Sequence, residues 1–300
     1  MKENNETSKK NSNTKRKKWQ KKLYIKQDYP DDYVDETFLI EMQKNVNVRI
    51  YDYWSVVTES IAVTQHFSSI LIFVAVFLKL YKDEITESIL LWFSILGLLL
   101  GSLLWDRIVS REKKTEPLVL KMGMLRSVAN FALILYFLSP VLRTLTVDTS
   151  TDTIIALAVV FFLLNLGFHD YGTNNLTKIS SIGSISVNAA VLACVLLASR
   201  LSSNNAVYAL LVYALLWFAL FPLLRRLLIA VSTKSSIILT IILAVGGTVL
   251  FLSISKAVSL VHFSITFIIT FVSPLWFLWI QRYKNEIHGP WDEATPIVHH

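Results

Sequence analysis

The sequence predicts an all-α fold: a polytopic helical membrane bundle of about eight transmembrane helices, preceded by an N-terminal amphipathic interfacial helix. Three observations carry this. Of the 300 residues, 53% are hydrophobic and mean hydropathy is +0.50, more apolar surface than a soluble domain of this size can cover. Beyond Trp54 the apolar residues gather into runs of about 20, the length a helix needs to cross a hydrocarbon core of about 30 Å. The charges keep to the ends of those runs, and 12 of the 29 Lys and Arg fall within residues 1–53.

Residues 1–28 form a basic tail rich in Lys, Asn, Ser and Thr. It holds too little apolar surface to offset ordering entropy and is expected to be disordered. Its charge suits an anionic lipid surface rather than nucleic acid. No apolar stretch there resembles a cleavable signal, so the first span is expected to act as the targeting signal. Residues 29–54 begin with a turn signal, Pro30-Asp31-Asp32, with Asp32 or Asp35 as candidate caps. Phe38, Met42, Val46, Ile50 and Trp54 then recur every four residues among Glu36, Glu41, Lys44 and Arg49. That spacing predicts an amphipathic helix in the membrane interface, or one packed on a soluble partner.

Residues 55–281 hold the bundle, with spans expected near 60–80, 87–105, 124–142, 153–170, 182–201, 204–224, 235–255 and 257–280. Spans five and six are separated only by Ser202 and Ser203, and seven and eight only by Lys256, so each pair is a tight hairpin. Gly97 and Gly101 form a GxxxG pair. Ser184, Ser186, Ala189, Ala190, Ala193 and Ala198 give span five a small face; such faces let helices approach closely. Residues 282–300 form a C-terminal tail. Placing both termini in the cytoplasm puts 24 Lys and Arg on that side and five (Lys79, Lys82, Arg143, Arg200, Lys256) opposite, as the positive-inside rule requires. The two glycosylation sequons, at Asn5 and Asn175, then face the cytoplasm and stay unmodified.

Catalytic constellations are sparse. The sequence has no Gly-rich phosphate loop and no nucleophile elbow. It also lacks the acidic pair that holds a metal-bound sugar nucleotide. His66, His169, His262 and His288 stand singly, no metal site is expected, and Cys194 has no second cysteine to pair with. His169, Asp170 and Tyr171 close span four, followed by Gly172 and Asn174; this is either a polar notch for a lipid headgroup or partner loop, or a helix terminus with a Gly stop. Asn165 and Asn188 are expected to bond between helices. On the opposite side, Pro140 is expected to kink span three, Asp152 to cap span four, and Arg143 to pair with Asp148 or Asp152. In the tail, His288-Gly289-Pro290-Trp291-Asp292-Glu293 combines a turn, an aromatic and two acids, a pattern suited to docking. Both termini share one side, so this segment and Tyr29–Trp54 are expected to be able to meet.

Five stretches, taken in order, resemble one family. They are Tyr29-Pro30-Asp31-Asp32-Tyr33-Val34-Asp35 with Phe38-Leu39; Ser139–Thr146 continued by Ser150-Thr151-Asp152-Thr153-Ile154; Asp170-Tyr171-Gly172 with Asn174; Leu197-Ala198-Ser199-Arg200-Leu201; and Ile287–Ala294. From about Trp19 to Ala294 the chain is similar to the PIG-C family, the C subunits of phosphatidylinositol N-acetylglucosaminyltransferase. The Lys-rich first 18 residues, the basic segment 107–121 and the final His pair depart from it. The resemblance implies the first step of GPI-anchor synthesis, transfer of N-acetylglucosamine from UDP-GlcNAc to phosphatidylinositol at the cytoplasmic face of the endoplasmic reticulum membrane. It implies that the sugar-nucleotide chemistry belongs to a PIG-A type subunit, which agrees with the missing acidic pair. The expectation is thus a scaffold without cofactor that anchors the catalytic subunit and helps present the lipid. Pro30, Asp31, Asp35, Phe38 and the His288–Glu293 stretch are its candidate docking residues. The competing readings are a lipid enzyme using His169 and Asp170, and a transporter, which would show broken helices in matching halves.

Overall fold

The computed structural model describes residues 19–20, 22, 24–27, 29–30, 33, 43–44, 51–111, 118–171, 184–283 and 287–288. Among them eight helical segments run in order: α1 (Tyr53–Tyr81), α2 (Glu87–Arg111), α3 (Leu118–Thr144), α4 (Thr151–Gly167), α5 (Ser184–Ala198), α6 (Asn204–Val231), α7 (Thr233–Leu252) and α8 (Lys256–Gln281). All but α4 and α5 are long and apolar enough to cross a membrane. An apolar run satisfies its backbone internally by going helical, which is what a hydrocarbon surrounding demands. Short polar punctuation starts the helices. Asp52 accepts from Trp54 N at 3.1 Å, Ser150 from Thr153 N at 3.3 Å, Ser203 from Ala206 N at 3.0 Å and Ser232 from Ser235 N at 3.4 Å. The cap of α4 is therefore Ser150, not Asp152. Asp152 sits in the first turn, where a carboxylate favours the helix dipole.

Residues 51–279 form one compact unit. Within it α1 packs on α7 and α8, α4 pairs with α5, and α6 touches α2, α3 and α5. The core gathers where α1, α4 and α6 meet: Phe73 lies parallel to Tyr213 (ring centroids 5.7 Å apart) and meets Phe162 and Phe218 edge-on. The small face of α5 is buried as expected at Ser186, Ala189, Ala190, Ala193 and Ala198, whereas Ser184 is exposed. Of the GxxxG pair only Gly97 is at a contact: a Cβ there would lie 3.0 Å from Leu216 Cδ2, and one on Gly101 would meet nothing within 4 Å.

Two helices run through a proline by widening one turn. In α6, Phe221 N donates to Leu216 O, five residues back, just before Pro222. In α8, Ser273 N donates to Ile268 O just before Pro274. Proline has no N–H and its ring crowds the carbonyl four residues back, and a π turn makes room for it. At Pro140 in α3 the carbonyl left without its helical donor, Tyr136 O, accepts from Ser139 Oγ at 2.9 Å instead. Because α6 passes its proline intact, it ends at Val231 rather than at the expected residue 224.

The second unit comprises residues 1–50 and 280–300. Tyr33 N donates to Pro30 O at 2.9 Å, closing the expected turn, and the Tyr29 and Tyr33 rings meet at a tilt with centroids 4.3 Å apart. Gln43 and Lys44 pair antiparallel with His288 and Ile287, respectively. This corrects the expected amphipathic helix at those two residues, where the chain is extended. A four-residue apolar spacing also satisfies a period of two, so it does not by itself distinguish helix from strand. The last residues of the expected helix, Tyr53 and Trp54, instead open α1, with Asp52 as its cap. Asp31, Asp35 and Phe38 lie outside the described residues, as do Pro290, Trp291, Asp292 and Glu293. The expectation that the N-terminal segment and the tail can meet holds at His288.

Candidate functional site: a polar cavity at one end of the bundle

The helix alternation brings the N-termini of α1 and α7 to the same end as the C-termini of α4 and α6. A cavity of about 660 Å³ opens among them. Its walls include Glu59, Ala62 and Gln65 of α1, His169, Asp170 and Tyr171 beyond α4, Pro222, Arg225 and Arg226 of α6, and Ser236 of α7. α4 stops at Gly167, and the chain that follows turns into the cavity. His169, Asp170 and Tyr171 therefore lie beyond the helix end, on the cavity wall, and Gly172 lies outside the described residues.

Hydrogen-bond direction can be assigned along the wall. Arg225, 5% exposed, donates from Nη2 to His66 Nδ1 at 3.0 Å. The His66 proton is then on Nε2, which donates to Asn165 Oδ1 at 2.9 Å. Asn165 Nδ2 donates to Ser186 O and Oγ, each at 2.9 Å, and Ser186 Oγ donates back to Asn165 O. Asn165 thus bonds between helices as expected, while Asn188 is exposed on α5. Every member beyond Arg225 is neutral, so the chain of bonds orients the guanidinium without compensating its charge. Arg225 Nε and Nη1 are buried and make no hydrogen bond among the described residues. Nearby, Gln65 Nε2 donates to Ser236 O and Thr240 Oγ1, both at 3.0 Å, and its buried Oε1 has no partner.

The residues singled out from sequence frame this core. The His169 ring lies on His66 with centroids 4.1 Å apart, and Tyr171 stands edge-on to both. Tyr171 OH donates to Leu166 O at 2.8 Å, fixing the turn after α4. Asp170 O accepts from Arg226 Nη2 at 3.0 Å. Burial, followed by the charges of Arg225 and Arg226, pulls the His169 imidazole down to about 4 against an opposing effect of Asp170. Burial pushes the Tyr171 phenol up to about 12, offset in part by Arg225. Both side chains are therefore neutral near pH 7. Asn174 lies outside the described residues.

Residues 19–292 match the sequence profile of the GPI2 family, described as phosphatidylinositol N-acetylglucosaminyltransferase. The chain belongs to that family. It is 38% identical over 283 residues to the phosphatidylinositol N-acetylglucosaminyltransferase GPI2 subunit of Schizosaccharomyces pombe, covering 94% of this chain and 87% of the relative. It is 43% identical over 280 residues to a putative C subunit of the same transferase from Dictyostelium discoideum, covering 93% and 80%. Against the C subunit from Homo sapiens it is 38% identical over 283 residues, covering 94% of each. No solved structure matches. Family membership agrees with the resemblance read from the five motifs.

The residues of the five stretches have separate placements. Asp170 and Tyr171 sit at the cavity, beside His169. Arg143 lies at the other end of the bundle, where it donates to Asn204 Oδ1 at 3.2 Å rather than pairing with an aspartate. Asn204 opens α6, so this contact ties α3 to α6. Arg200 donates to Thr146 O and Oγ1, closing the α3–α4 loop onto the end of α5. Sequence reasoning missed Arg225 and His66. Arg225 counted as a loop charge because the span was expected to end at residue 224, and His66 gave no signal because its partners lie 99 and 159 residues away.

Proposed function

We propose that this chain is the membrane-embedded, non-catalytic PIG-C type subunit of the complex that transfers N-acetylglucosamine from UDP-GlcNAc to phosphatidylinositol, the first step of GPI-anchor biosynthesis. It crosses the endoplasmic reticulum membrane eight times with both termini in the cytoplasm. There it anchors the catalytic PIG-A type subunit and helps present the lipid. The observation that carries this reading is the placement of the polar cavity: it opens at the helix ends that the positive-inside rule assigns to the cytoplasm, the face where a sugar nucleotide is available. Outside that cavity the bundle's polar groups pair mostly with one another, as structural groups do.

The test is transfer by the purified chain in phosphatidylinositol-containing nanodiscs, alone and with the catalytic partner. The chain alone is expected to transfer nothing, and the pair to co-purify. Robust transfer by the chain alone would defeat the scaffold reading. For docking, Trp291→Ala with Asp292→Ala is expected to lower recovery of the partner, because aromatic anchors dominate interface energies. Normal recovery would remove the tail from the interface.

A further inference from the structure

The cavity holds two unmet demands. Arg225 presents Nε and Nη1, buried and without acceptors, beside an Nη2 already fixed on His66. Gln65 presents a buried oxygen without a donor. A buried cation costs several kcal/mol unless an anion compensates it, and a guanidinium N–H forms a charge-assisted hydrogen bond to a phosphate oxygen. The neutral network behind Arg225 holds the fork in place, so little is lost in ordering it on binding. Arg226 adds a second positive charge to the wall, and Glu59 stands exposed on it.

We infer that the cavity is a binding site for a hydroxyl-bearing phosphate ester, with Arg225 Nη1 donating to a phosphoryl oxygen and Gln65 Oε1 accepting from a hydroxyl of the same ligand. This rests on the lipid-presenting part of the proposed function and names the residues that hold the headgroup. An apolar ligand would leave both demands unmet, and a bare phosphate would leave Gln65 Oε1 without its donor. A zwitterionic choline headgroup brings no hydroxyl donor either. The Glu59 carboxylate can accept from further hydroxyls that project outward.

The chemistry has two sources, a membrane lipid or a soluble sugar phosphate, and the experiment separates them. The full chain is placed in phosphatidylcholine nanodiscs, and its melting temperature is followed with added phosphatidylinositol, soluble inositol 1-phosphate or inorganic phosphate. Stabilisation by phosphatidylinositol alone supports the site with a lipid ligand. Stabilisation by inositol 1-phosphate as well supports the site with recognition confined to the headgroup. Inorganic phosphate is expected to act weakly, and an equal effect from it would overturn the role of Gln65. Arg225→Gln is expected to weaken binding at least about tenfold, as loss of a charge-assisted pair does. Should that variant fail to fold, Ala62→Trp decides the matter: it narrows the cavity without touching the Arg225–His66 bond and is expected to abolish the shift. Wild-type-like shifts in a folded variant of both kinds, or no shift with any ligand in the wild type, would overturn the site. Recovery of the catalytic partner with each variant is scored separately. A complex that assembles but binds no phosphate ester refutes this inference and leaves the scaffold standing.

Discussion

His66 and His262 are both buried histidines in the middle of long helices, 2% and 1% exposed, yet they do opposite things. His66 has a partner on each ring nitrogen, and those partners sit on two other helices. His262 accepts or donates at Nδ1 with Thr248 Oγ1 at 3.0 Å, while its Nε2 has no partner. Its ring is set by packing: Gly247 leaves room for it, and a Cβ there would lie 2.8 Å from Cε1. One histidine transmits orientation to a buried charge; the other fills the seam between α7 and α8. Burial alone does not mark a functional histidine, whereas the direction of its hydrogen bonds does.

The largest effect that tests this contrast is His66→Phe, which keeps the volume but strands Arg225 Nη2 and Asn165 Oδ1. We expect a loss of about 3 kcal/mol, since each buried group left unpaired costs about 1–3 kcal/mol. His262→Phe loses one bond and relieves an unpartnered nitrogen, so about 1 kcal/mol or less is expected. Equal losses in thermal or denaturant unfolding would erase the distinction. Next comes Gly247→Ala, which forces the His262 ring to shift and is expected to cost about 1–3 kcal/mol. Gly101→Ala, facing open space, is the control and should cost nothing measurable.

A smaller effect is pH dependence. The folded His169 titrates near 4 and the unfolded one near 6.5, so between these values the unfolded chain binds the extra proton. Its contribution to stability is complete above about pH 6.5 and is lost as pH falls towards 4. The measurement is melting temperature against pH, and His169→Asn should flatten that part of the profile. An unchanged profile would mean that the ring is not enclosed as described. The smallest effect belongs to the tail. Deleting residues 2–17 should leave assembly of the complex intact, because screening confines mobile surface charge to a Debye length of about 8 Å. Loss of the partner on that deletion would reveal a specific dock.

The helices were legible because an apolar run is read locally, and all eight appear in the order expected. What failed to show were features set by residues far apart or by competing local rules. Residues 43–44 carried a spacing common to helix and strand, and pairing with residues 287–288 decides between them. The sixth span was expected to end at residue 224, but the helix continues past a widened turn and carries Arg225. The motif residues Asp170 and Tyr171 lie on the cavity wall, while the arginines beside them come from a helix more than 50 residues later.

The short helix α4 has a consequence for the proposed place in a bilayer. At about 1.5 Å per residue, its 17 residues reach roughly 26 Å, less than the hydrocarbon thickness of about 30 Å. In the proposed membrane-spanning arrangement, so short a helix beside α1, with 29 residues, would leave a hydrophobic mismatch on one flank of the bundle, and lipids there would thin towards it. The end of α4 is also where the cavity opens, so a headgroup on that flank would be lowered towards the buried guanidinium by the bilayer's own elasticity.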